Sequence, residues 1–234
     1  GAQGRFMRLR FNSIPMDQPG RYFYLRDMES GDYWSASWQP VGKPLDKFKS
    51  ECRHGTAYTK ITSEYEGIKS ETKYYVPLGQ TFEYWRLKVT NTGSKKRKLR
   101  AFSYCEFSNQ WNTTQDQVNL QYSIFIVKGE KSAPNMLRYS IHENLYIQHQ
   151  KNPAINDYMS EWIALAGAPM TGFDTSREAF IGTYGNYKEP AAVLKGECSN
   201  SEAFGDNSCG TVQADIELNP GETKEIMVLL GIGD

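Results

Sequence analysis

Between Glu106 and Tyr122 the chain reads Glu-Phe-Ser-Asn-Gln-Trp-Asn-Thr-Thr-Gln-Asp-Gln-Val-Asn-Leu-Gln-Tyr, a dense run of amides and hydroxyls around one tryptophan. Asn and Gln side chains carry both donors and acceptors, matching the mixed character of sugar hydroxyls. Trp111 offers a flat apolar surface on which the C–H face of a pyranose can pack. On a loop of a rigid scaffold, such a run suits sugar binding. It suits a polar surface loop as well, and residue chemistry alone leaves both readings open.

Bond-breaking chemistry is harder to find. Glycoside cleavage needs a carboxylic acid to protonate the leaving oxygen, and an inverting hydrolase adds a second carboxylate. Carboxylates are plentiful, but no sequence pattern pairs two of them. A Gly-x-Ser-x-Gly elbow, a Cys–His signature and a Gly-rich phosphate loop are all missing. His54, His142 and His149 lack metal-ligand spacing, and Cys52, Cys105, Cys198 and Cys209 form no Cys-x-x-Cys pair, so no metal and no cofactor is expected. His54 stands in the turn-like Cys-Arg-His-Gly-Thr, where a hydrogen-bonding role is the simpler reading. Cys198 and Cys209 could bridge a hairpin in an oxidising compartment. Four scattered cysteines read more simply as reduced thiols of a cytoplasmic protein.

Charge narrows the partners. Lys plus Arg is 27 and Asp plus Glu is 27, which gives no basic excess for a nucleic acid. The run Lys95 to Arg100 follows the turn signal Asn91-Thr-Gly-Ser and reads as a solvated turn. No apolar stretch reaches the 18 residues of a membrane helix. The 15 tyrosines and 5 tryptophans suit a sugar-handling protein, but large β-sandwiches carry as many in ordinary cores.

The elements that must hold the amide-rich run are strands. Leu87 and Val89 alternate with Arg86, Lys88 and Thr90; after the turn, Leu99, Ala101, Ser103, Cys105 and Phe107 share a face. The pair reads as a hairpin of long antiparallel strands. Val212, Ala214, Ile216 and Leu218 alternate again, Asn219-Pro-Gly-Glu222 turns the chain, and Ile226, Val228 and Leu230 return it. Further strands are expected over 21–25, 58–62 and 68–76, and a short helix or irregular loop over 45–52. Trp34, Trp38, Trp85 and Trp162 are expected in the core or packed on sheets. With no repeat and no low-complexity linker, residues 1–234 are expected to form one all-β antiparallel sandwich domain.

Several segments, in order, resemble a known family. They are Arg21-Tyr-Phe-Tyr, Tyr33-Trp-Ser-Ala-Ser-Trp-Gln-Pro-Val41, Cys52-Arg-His-Gly55 with Tyr58-Thr-Lys-Ile61, and Tyr75-Val-Pro-Leu78. Glu106-Phe107, Trp111-Asn112, Asp116-Gln117 and Asn119 follow, then Gly172-Phe-Asp-Thr-Ser-Arg-Glu-Ala-Phe-Ile-Gly182 and Leu218-Asn-Pro-Gly-Glu222. Together they resemble the N-terminal domain of glycoside hydrolase family 94, the inverting β-glucoside phosphorylases that include cellobiose and cellodextrin phosphorylases.

The resemblance implies a galactose-mutarotase-like super-sandwich whose first strands lie upstream of Gly1, followed by a helical linker and an (α/α)6 barrel that carries the general acid. No catalytic residue is then expected in this chain. Inorganic phosphate, a co-substrate, attacks the anomeric carbon in place of water and its base, so one carboxyl group suffices; the products are α-glucose 1-phosphate and a shortened sugar. The resemblance also implies a homodimer in which the sandwich of one subunit extends a loop to the acceptor side of its neighbour's barrel. It places Trp111, Asn112, Asn119 and Tyr122 at that acceptor site. Tyr122 stands where cellobiose phosphorylases have an Arg, which exchanges a hydroxyl-gripping fork for a stacking face and points to longer acceptors such as cellodextrins. Arg177 is expected to hold a loop rather than touch substrate.

Two other classes stay open at this level. One is a stand-alone carbohydrate-binding sandwich. The other is a mutarotase-type enzyme, which would need a histidine and a carboxylate such as His54 and Glu71 facing one sugar.

Overall fold

The computed structural model describes residues 20–107, 127–141 and 160–233. In chain order the strands are β1 (Tyr22–Asp27), β2 (Tyr33–Ser35), β3 (Lys49–His54), β4 (Tyr58–Tyr65), β5 (Ile68–Tyr75), β6 (Phe82–Asn91) and β7 (Arg97–Glu106). After these come β8 (Val127–Ala133), β9 (Met136–Ile141), β10 (Glu161–Ala166) and β11 (Gly172–Ser176). Two short helices follow, α1 (Arg177–Ile181) and α2 (Ala191–Lys195), and then β12 (Ala203–Phe204), β13 (Ser208–Leu218) and β14 (Thr223–Ile232).

The strands form two antiparallel sheets. One has the order β11-β13-β7-β1-β2, the other β12-β8-β9-β10-β14-β6-β5-β4-β3. Between them lies a core to which both sheets contribute alternate residues: Phe23, Leu25, Leu99, Ala101, Val212, Ala214 and Ile216 from one, Trp85, Leu87, Val89, Ile163, Val228 and Leu230 from the other. Each fully buried side chain of this size contributes about 1.5–3 kcal/mol relative to exposure. Facing inner surfaces of this kind define the expected super-sandwich. The far side of the five-stranded sheet carries a second core, where Tyr24, Phe102 and Tyr104 meet Phe180 and Ile181 of α1 and Val193 of α2.

Turn chemistry follows the residues. Glu66 and Gly67 both have positive φ (48° and 76°) between the paired Tyr65 and Ile68, the backbone of a two-residue type I′ hairpin turn. Pro220 followed by Gly221 at φ 76° closes a turn in which the Glu222 amide donates to the Asn219 carbonyl.

Two expectations are corrected. β6 and β7 are not a hairpin: β6 pairs with β5 and β14, whereas β7 pairs with β1 and β13. The link 92–96 is an arch between the sheets, and 219–222 is a second one beside it. Alternation marks which face is buried, and two strands facing each other across a core alternate just as two neighbours do. The stretch expected as a short helix or loop contains β3 instead. Every residue of β3 is exposed, because it is the edge strand of the larger sheet and shows no buried face for a pattern to report.

Asn91 joins the two arches. It is fully buried, and its side-chain amide donates to the Lys95 and Leu218 carbonyls while its side-chain oxygen accepts from the Gly93 amide. Its backbone N–H donates to Glu222 O and its carbonyl accepts from the Gly221 amide. The basic run of the first arch is neutralised locally: Arg97 pairs with Asp27, Arg100 with Asp215, and Lys96 with Glu217.

Candidate carbohydrate-binding site

Opposite the arches lies the end of the sandwich where β7 and β9 finish and β8 and β10 begin. Residues 108–126 leave and return here. Trp111, Asn112, Asn119 and Tyr122 all lie in that stretch, outside the described residues, so the site can be built only from its stems.

The outgoing stem is fixed by a buried carboxylate. Glu106 ends β7 with its side chain wholly buried, and Oε1 accepts from the Tyr104 hydroxyl (2.9 Å), Arg177 Nε (2.9 Å) and the Tyr187 hydroxyl. The Arg177 guanidinium also lies over the Tyr187 ring, 5.4 Å from its centre. Burial, and then the charge of Glu106, pushes the Tyr104 and Tyr187 phenols well above the ordinary range, so both stay protonated donors. Burial works against the charge of Arg177, but Tyr104, Glu106 and Tyr187 around it more than offset this and hold it above the usual arginine value. The next residue, Phe107, is buried and stacks on Tyr139 of β9 at 5.0 Å. On the returning side, Val127 is buried at the start of β8 and its carbonyl accepts from the Gly205 amide.

The segment Gly172 to Gly182 supplies most of the clamp. Asp174, fully buried, accepts from the amides and hydroxyls of Ser199 and Ser201. The Thr175 hydroxyl donates to the Gly129 carbonyl of β8, tying the five-stranded sheet to the nine-stranded one. Ser176 caps α1 by accepting from the Ala179 amide, which places Arg177 in the first turn, aimed at Glu106. Arg177 therefore fixes the end of β7 through Glu106. Sequence reasoning missed Glu106 and Tyr187 as its partners: Glu106 and Arg177 lie in segments that it singles out, but only the fold brings 106 and 187 beside 177.

The cluster anchors the end of β7 and presents no exposed acid. Glu106 is saturated with donors and sealed from solvent, so it can neither deliver a proton to a sugar nor accept one. His54 and Glu71 do not meet. His54 pairs across the ladder with Thr59, opposite the core residue Tyr74, whereas Glu71 pairs with Thr62 and Lys88 on the other face. The His54 ring contacts the Thr59 hydroxyl (3.0 Å) and Cys52 Sγ (3.4 Å), and Glu71 contacts Lys60 (3.2 Å). A shared mutarotase-type site for these two is excluded by strand parity. All four cysteines are free thiols, and burial pushes those of Cys105, Cys198 and Cys209 well above the ordinary range. Among the described residues no three His, Cys, Asp or Glu side chains cluster as a metal site, and no helix is long and apolar enough to cross a membrane.

The whole chain, residues 1–234, matches the model of the glycosyl hydrolase 94 supersandwich domain. It is 36% identical over 221 residues to an N,N'-diacetylchitobiose phosphorylase of Vibrio furnissii, which covers 94% of this chain and 26% of that protein. A protein of the same name from Vibrio proteolyticus is 36% identical over 98% of this chain and 27% of its own length. A solabiose phosphorylase of Paenibacillus borealis is 28% identical over 92% of this chain and 26% of its own length. The chain thus spans about a quarter of the curated relatives it matches. Two facing antiparallel sheets and a match along its full length give one conclusion: this chain belongs to the glycosyl hydrolase 94 supersandwich-domain family.

Proposed function

We propose that the chain is the non-catalytic sandwich of an inverting β-glycoside phosphorylase. In this reading it works with a C-terminal (α/α)6 barrel of the same protein and, across a homodimer interface, extends residues 108–126 to the acceptor side of the partner's site. Trp111 and Tyr122 supply stacking faces there, and Asn112 and Asn119 supply hydrogen bonds to sugar hydroxyls. The carrying observation is the buried Glu106–Arg177–Tyr187 clamp. A segment that must meet a sugar needs rigid stems, and both of its stems are anchored in the core.

The substrate in this reading is a β-linked gluco-oligosaccharide, with cellodextrins favoured by Tyr122. The 36% identity to two proteins named N,N'-diacetylchitobiose phosphorylase supports a second acceptor class, the N-acetylated disaccharide. Incubating the parent enzyme with inorganic phosphate and cellobiose, cellotriose or N,N'-diacetylchitobiose separates them. Release of α-glucose 1-phosphate, fastest from cellotriose, is the expected result. Release of N-acetylglucosamine 1-phosphate would transfer the assignment to the second class, and no sugar phosphate from any of the three would sink the phosphorylase reading. The isolated chain is expected to bind cellobiose weakly or not at all, since the barrel supplies half of that pocket; a calorimetric titration showing tight binding would overturn this.

A further inference from the structure

The outer face of the nine-stranded sheet is divided along its strands. Toward the arches it is ionic, with Lys60 paired to Glu71 and Arg86 gripping Glu225 through two 2.8 Å bonds. Toward the loop end it is aromatic. Tyr58, Tyr75, Tyr84 and Leu229 stand in one row across β4, β5, β6 and β14, and Phe82, Gly231 and Trp162 form the next row across β6, β14 and β10. From Tyr75 onward the rings are continuous: Tyr75 to Tyr84 is 5.0 Å, Tyr84 to Phe82 is 5.2 Å, and Phe82 to Trp162 is 5.9 Å, while Lys73 bridges Tyr58 and Tyr75 with its ammonium 4.6 Å and 5.5 Å from their ring centres. At about 4.8 Å per strand the track from β4 to β10 is about 19 Å long.

Gly231 makes room for this surface. A Cβ there would fall 2.3 Å from the Trp162 ring and 2.8 Å from Phe82, so the indole leans across the glycine. Trp162, Phe82, Tyr84 and Tyr75 are half-buried and Tyr58 is exposed. No described residue hydrogen-bonds the hydroxyls of Tyr58, Tyr75 and Tyr84 or the indole N–H of Trp162. That argues against an apolar cover for the track. An apolar protein surface would bury four polar groups without partners, at about 1–3 kcal/mol each. A sugar chain packs its C–H faces on the rings and returns hydroxyls to their polar edges.

We propose that this track is a second carbohydrate site, a platform for a linear oligosaccharide of β-linked gluco-configured units, built from strand residues and distinct in role from the acceptor contacts proposed for residues 108–126. The choice of β-gluco units rests on the phosphorylase reading, because equatorial substituents leave both ring faces free to stack. The track itself belongs to the sheet and needs neither the barrel nor a second subunit.

Titration of the 234-residue chain with β-1,4-linked glucohexaose tests it. The expected result is saturable binding that is insensitive to salt, weakened about tenfold by Trp162→Ala and by Tyr58→Ala. Gly231→Val, which keeps every ring but displaces the indole, should weaken it similarly, and Lys88→Ala in the ionic half should leave it unchanged. Near-UV circular dichroism identifies the variants that keep the native fold, and Tyr58, at the exposed end of the track, is the substitution the fold tolerates best. Absence of saturable hexaose binding, or binding equal to wild type in folded Trp162→Ala and Tyr58→Ala, overturns the platform. Phosphorolysis by the parent enzyme reads the phosphorylase assignment instead: no sugar phosphate with hexaose binding intact would sink that assignment and leave the platform standing, whereas phosphorolysis without hexaose binding would sink the platform alone.

Discussion

The two ends of the sandwich solve opposite problems. At the arch end the chain crosses between sheets twice within a few residues, and the connections are closed by amides: Asn91 alone bonds Lys95, Leu218, Gly93, Gly221 and Glu222. Charges there form local pairs, from the surface pair of Lys96 with Glu217 to that of Arg97 with the buried Asp27. At the loop end the long connections depart, and what holds their stems is a charge pair taken out of water, Glu106 with Arg177. A neutral amide suits a junction that needs only geometry. A buried ion pair is costly to assemble and more costly to break, so it fixes one arrangement of the stem and penalises alternatives.

The sharpest way to break this contrast is Arg177→Met, which leaves Glu106 buried with its charge uncompensated. Urea unfolding should show a loss of about 3–5 kcal/mol. Adding Glu106→Gln should recover part of that loss, because the stranded charge is removed. If the double variant is no better than Arg177→Met, the pair is not coupled and the clamp is wrongly described. Next comes Asn91→Ala, which orphans two carbonyls and should cost about 3 kcal/mol by the same measurement. A loss confined to a few tenths would show that water can replace the amide, and that the arch end is not closed.

A smaller effect separates the ends by pH. Burial pushes the Asp27 carboxyl up, but the Ser30 amide, Arg97 and the Glu29 amide more than offset it and hold it below the ordinary value. A depressed carboxylate contributes stability that is present above its unfolded value near 3.9 and is lost as pH falls through the lower folded value. The gap in stability between wild type and Asp27→Asn should therefore be full at pH 7 and shrink below about pH 4. A gap independent of pH would remove Asp27 from the acid response. The smallest effect is expected from Glu217→Gln: its partners Lys96 and Lys98 are solvent-exposed, and no measurable change in thermal midpoint should follow.

The fold was readable where one face of a strand is buried and the other wet. β5, β6 and β14 alternate cleanly, and their core residues are those the pattern names. It was unreadable where burial is two-sided or absent. β3 at the sheet edge shows no pattern because both its faces meet solvent. Most of β13 is continuously buried because α1 and α2 cover the far face of its sheet, so alternation in burial appears only from Ala214 onward. The candidate site divides in the same way. The amide-rich run announces itself by composition, but nothing in the spacing of 106, 177 and 187 marks them as one cluster.

By itself, then, the sequence determined the alternating strands such as β6, β7 and β14, the sharp turns at Glu66-Gly67 and Pro220-Gly221, and the family to which the chain belongs, because each of these is written in local residue order. Tertiary structure decided which strands pair and which face one another across the core, and it brought Glu106 to Arg177 and Gly231 beneath Trp162. Periodicity reports only whether a side chain is buried. Which residue buries it depends on contacts far apart in the chain, and those exist only once both sheets have closed on their shared core.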